Sequence, residues 1–153
     1  MVATRPCIVL LLVATFAMAA CDPAYYVVPI GWKREDGKEY RKRIGDLNIM
    51  TSSVGGLIGQ SWVDVDFVIE NASKPVVPQE IVLISDLGRL TGELRSGPYY
   101  FNTQETAGKP LLAATFWTQQ GDLQRILGKS PRVEVSFVYG EEMRYFEVQY
   151  EPQ

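Results

Sequence analysis

Between Ser61 and Asn71, Val63, Val65, Phe67 and Ile69 fall on one side of an extended chain and Asp64, Asp66 and Glu70 on the other. This period of two predicts a strand with one face in a core and the other in water. The same period runs through Arg132–Tyr150, where Val133, Val135 and Phe137 share a face. After a turn at Gly140-Glu141-Glu142, Phe146, Val148 and Tyr150 do the same, which predicts a hairpin. Glu80–Ser85 and Leu111–Trp117 are continuous apolar runs of strand length, the pattern of strands covered on both faces. Lys38–Met50 is a further strand candidate, and Tyr25–Ile30 is β-prone, with Pro29 restricting it to an edge or a linker. Only Gly121–Gly128 reads as helical, with Leu123, Ile126 and Leu127 on one side and a glycine just past the end. About seven short strands separated by turn signals predict an all-β, immunoglobulin-like two-layer sandwich, with a small open barrel as its rival.

The first segment breaks this pattern. Behind the single cation Arg5, the chain from Cys7 to Ala20 is apolar on every side. At helical rise this run reaches about 21 Å, short of the roughly 30 Å hydrocarbon core of a bilayer. It predicts a cleaved N-terminal signal helix rather than a stable span. The run ends Phe16-Ala17-Met18-Ala19-Ala20-Cys21-Asp22-Pro23, small residues leading to a cysteine.

Those residues resemble the lipobox of bacterial lipoproteins. Ala19 and Ala20 match the two positions before the family's cysteine, and Met18 stands where the family has Leu, Val or Ile. The resemblance implies that Cys21 carries a diacylglyceryl group, that a dedicated peptidase cuts just before it, and that palmitate and similar chains hold the protein on a membrane. Asp22 resembles the sorting signal that retains lipoproteins in the bacterial inner membrane; the outer membrane is the alternative. A second reading of the same residues is ordinary secretory cleavage after Ala19, because Ala17-Met18-Ala19 fits the A-x-A rule. An uncleaved anchor is a third. The resemblance covers Met1 to Asp22 only. The expected organisation is a signal peptide over residues 1–20, a lipidated tether over 21–31 and a sandwich domain over 32–153.

Composition narrows the chemistry. The 153 residues hold two cysteines, Cys7 and Cys21, and no histidine. Triads built on histidine and zinc sites built on imidazole are therefore excluded. Loss of the leader leaves Cys21 without an intramolecular partner, which lipidation explains. The formal charge of −3 argues against a nucleic-acid partner. That charge is unevenly spread. Lys33, Arg34, Lys38, Arg41, Lys42 and Arg43 face only Glu35, Asp36 and Glu39 locally, a balance of +3. From Ile44 onward eight basic and fourteen acidic side chains leave −6. Basic residues near an anchor suit contact with anionic lipid headgroups, and these six are the candidate membrane-surface residues.

Other motifs carry less. Gly121–Ser130 ends like a phosphate-binding loop but has Leu123 where the motif needs glycine, and Ser53–Gln60 reads as a flexible hairpin connection. Trp32, Trp62 and Trp117 suit either core packing or a binding surface. The expected function is a membrane-anchored, periplasm-facing lipoprotein that binds or scaffolds an envelope protein or glycan without catalysis, metal or cofactor. The alternative is a carboxylate-dependent hydrolase of cell-wall glycan using Asp64 and Asp66.

Overall fold

A computed structural model describes residues 24–35, 37, 39–96 and 106–153 of the chain. The expected signal helix, Cys21, Asp22 and Lys38 lie outside the described residues. In chain order the strands are β1 (Ala24–Pro29), β2 (Lys33–Arg34), β3 (Glu39–Ile44), β4 (Leu47–Ser52), β5 (Val54–Leu57) and β6 (Trp62–Ile69). They continue with β7 (Val76–Ser85), β8 (Gly88–Thr91), β9 (Glu93–Arg95) and β10 (Leu111–Trp117). A helix, α1 (Asp122–Leu127), then precedes the hairpin β11 (Arg132–Tyr139) and β12 (Glu142–Pro152). Two six-stranded antiparallel sheets result, ordered β5-β1-β12-β11-β7-β8 and β2-β3-β4-β6-β10-β9.

The two-layer sandwich expected from alternation is present, with twelve strands among the described residues rather than about seven. The surplus comes from short strands and from one sheet change. β4 and β5 are nearly continuous, yet β4 pairs with β3 and β6 in one sheet while β5 pairs with β1 in the other. The β3–β4 hairpin closes over Gly45 and Asp46, with Gly45 at φ +62°, a left-handed value that costs glycine little. β11 and β12 close in the same way over Gly140, at φ +67°.

The expected inward residues form the core. Val133, Val135, Phe137, Phe146, Val148 and Tyr150 are all buried, and each contributes about 1.5–3 kcal/mol by leaving water. Phe67 meets Phe146 edge-on across the two sheets, with ring centroids 5.3 Å apart, and Trp32 packs on Phe67 at 6.4 Å. Helix α1 buries Leu123, Ile126 and Leu127 against β1 and β5 and closes one end of the sandwich.

Two expectations about individual strands need correction. The stretch expected as an edge or linker is an interior strand, since β1 lies between β5 and β12. Its proline is tolerated because β5 pairs only as far as Val27, so Pro29 falls beyond that ladder. The Ser53–Gln60 stretch is partly strand β5 rather than a flexible connection. Gly55 and Gly56 sit in it because a Cβ at Gly55 would lie 2.1 Å from the Tyr26 ring, and one at Gly56 2.8 Å from Leu123.

Candidate functional site

Strand β1 begins at Ala24, three positions after Cys21. Ala24 pairs with Leu57, the last residue of β5. Leu57 opens a loop closed by a hydrogen bond from the Gln60 amide to the Leu57 carbonyl, and the chain then enters β6 at Trp62. Trp62 pairs with Trp117 at the end of β10, so both residues lie on the outer face of their sheet. Leu57, Ile58, Trp62 and Trp117 are exposed by 50%, 38%, 40% and 62%. The Trp117 Nε1–H donates to Glu93 Oε2 at 2.8 Å. Of the three tryptophans, only Trp32 belongs to the core.

The basic residues occupy a different place. β3 runs to the Ile44–Leu47 turn, and from Leu47 the chain extends through β4 and β5 to Leu57 beside Ala24. That extended run spans roughly 30 Å, so Arg43 and Ala24 lie at opposite ends of the sandwich. Closeness to Ala24 in sequence does not carry into space. Lys33, Glu35, Arg41, Lys42, Arg43, Asn48 and Glu70 line an open groove of about 370 Å³. Within it Arg41 is held by Glu70 at 2.9 Å and Glu35 at 3.0 Å, and its Nη2–H approaches Met50 Sδ at 3.2 Å. Burial works against the Arg41 charge, but the hydrogen bond and charge of Glu70, aided by Glu35 and Glu39, raise its pKa above the ordinary value. The Arg43 Nε–H donates to the Gly45 carbonyl. Lys33 and Lys42 make no ion pair among the described residues, and Arg34 reaches over the Tyr40 ring at 5.9 Å. The groove can therefore present cations to an anionic group.

Alternation places Asp64 and Asp66 on a wet face, and the structure corrects this. Both are buried, at 6% and 1% exposure. The register explains how: Asp66, Ala113 and Arg95 lie in one row across β6, β10 and β9, and Asp64 sits beside Thr115. The Arg95 guanidinium crosses over the small Ala113, donating from Nη2 to Asp66 Oδ1 at 2.5 Å and placing Nε 3.5 Å from Asp64 Oδ1. The Thr115 hydroxyl donates to Asp64 Oδ1 at 2.5 Å. The period of two correctly turns these acids away from the core between the sheets. It carries no information about whether that outer face is covered. Met50 and Val68 are also buried there, packed with Leu111. The acids form an internal ion cluster with Arg95, not an open pair flanking a cleft. Arg95, which sequence reasoning did not single out, is the residue that joins them.

At the turn between β3 and β4, Arg144 bonds Asp46 at 2.8 Å and lies over the Tyr139 ring, whose hydroxyl takes the Ser73 amide proton. The Arg144 hydrogen bond, with a backbone one, holds the Asp46 carboxyl below its usual range. Among the described residues no three metal-ligating side chains converge, and no helix is long and apolar enough to cross a membrane. In comparisons with known proteins, no family model, no curated protein and no solved structure matches the chain.

Proposed function

We propose that the protein is a bacterial lipoprotein, acylated on Cys21, whose sandwich is a non-catalytic binding or scaffolding module facing the periplasm. The observation that carries this reading is the opposite placement of two features. Ala24, close to the lipobox cysteine, lies at one end of the sandwich, and the basic groove lies at the other. A lipid on Cys21 holds the first end at the membrane and turns the groove outward. Lys33, Lys42 and Arg43 then face anionic groups of an envelope protein or glycan. The commitment of Asp64 and Asp66 to Arg95 and Thr115 favours binding over carboxylate hydrolysis.

The test has two parts. Cys21→Ala should lose palmitate labelling and appear in the soluble periplasm, whereas Asp22→Ser should keep the label and move from the inner to the outer membrane. Lys33→Glu with Arg43→Glu should remain lipidated but lose protein or glycan crosslinks formed in intact cells. Crosslinks that survive charge reversal would remove the groove from the reading.

A further inference from the structure

The loop that follows Leu57 offers two aliphatic side chains to solvent between glycines, in the sequence Gly56-Leu57-Ile58-Gly59. A Cβ at Gly59 would meet nothing within 4 Å, so the tip projects into open space. No charged residue occurs from Leu47 to Val63 or from Pro110 to Gly121, although the chain as a whole is rich in acids. Trp62 and Trp117 flank the same end from the neighbouring strands. Leu57, Ile58, Trp62 and Trp117 make an exposed, largely apolar rim, with Glu93 held at its edge by the Trp117 Nε1–H and α1, which carries Asp122 and Arg125, packed beside it on β1 and β5.

Chain length identifies an occupant for this rim. From Cys21 to Ala24 the backbone spans roughly 10 Å at full extension, and Leu57 is paired directly with Ala24. The polar headgroup layer on each side of a bilayer is itself about 5–7 Å thick. A domain tethered by so short a chain stays within a few ångströms of that layer, and the exposed side chains of Leu57, Ile58, Trp62 and Trp117 lie at the tethered end. Tryptophan favours this boundary because its ring is apolar and its N–H is polar. We propose that Leu57, Ile58, Trp62 and Trp117 sit in the interfacial layer of the bilayer that holds the acyl chains of Cys21. This rests on the lipoprotein reading. It gives the domain a fixed orientation that a flexible lipid tether alone would not supply.

The experiment uses the full-length protein purified from membranes and reconstituted into phosphatidylethanolamine–phosphatidylglycerol vesicles with brominated acyl chains, alongside a mass measurement of the N-terminal peptide. Bromine should quench the emission of Trp62 and Trp117, and Trp62→Phe with Trp117→Phe should abolish the quenching. Leu57→Ser with Ile58→Ser should weaken it while the thermal melt stays cooperative, because both side chains are only part-covered. An acylated Cys21 without quenching, or quenching indifferent to these substitutions, would overturn the inference and leave the anchor standing. So would crosslinking of the rim to a second copy or another protein in place of quenching. An N-terminal peptide without lipid would overturn the anchor and the inference together.

Discussion

On the outer face of its sheet, Arg95 is the cation that joins two buried carboxylates. Arg95→Met should cost about 3–5 kcal/mol, the range for stranding buried charge, and adding Asp64→Asn and Asp66→Asn should recover part of it in a denaturant melt. Tyr150 poses the opposite case. Burial pushes its phenol well above the ordinary range, and the neighbouring Thr51 hydroxyl, whose own proton goes to the Asp66 carbonyl, opposes this less than burial favours it, so the Tyr150 hydroxyl has no well-formed hydrogen bond among the described residues. Tyr150→Phe should therefore be neutral or stabilising by about 1 kcal/mol; a clear loss of stability would show that the hydroxyl is satisfied. Asp46 gives a pH signature. Its folded pKa lies below 3.8, so the bond to Arg144 stabilises fully above that value and is lost as pH falls through the lowered one. The difference in Tm between the wild type and Asp46→Asn should be present near neutral pH and should close on acidification.

Among the elements, the glycines of β5 are a structural requirement. Gly55→Ala would press a methyl against the Tyr26 ring and the Tyr25 carbonyl, and it should cost about 2 kcal/mol in a thermal melt. This strand is hidden in the sequence because glycine carries neither periodicity nor β-propensity; its place depends on a ring from β1. The other elements divide along the same line. β6, the β11–β12 hairpin and α1 are legible because their own side chains carry the period, and β10 because its apolar run has the length of a strand. The interior position of β1 is not, because partners on both sides come from remote segments and a proline stands at its end. β7 begins at Val76 rather than after Pro78, since a register shift opposite Ser136/Phe137 accommodates the proline. The acid pair is legible by sidedness but not by burial, because its counter-ion lies 29 residues from Asp66.

For the whole molecule, the polarity that the sequence presents as basic near Cys21 becomes, in space, apolar near β1's start and basic at the far end. β1 begins at Ala24, where a tether is expected; on the proposed reading only Asp22 and Pro23 stand between the acylated residue and the first strand. On the proposed reading, a membrane-held domain would present the groove outward and cover the rim. Everything in this arrangement depends on Cys21. The most direct measurement is the intact mass of the protein purified from membranes: the account predicts a chain beginning at Cys21 and carrying the added mass of two or three acyl chains. A chain that retains its leader, or one cut after Ala19 and free of lipid, would contradict it.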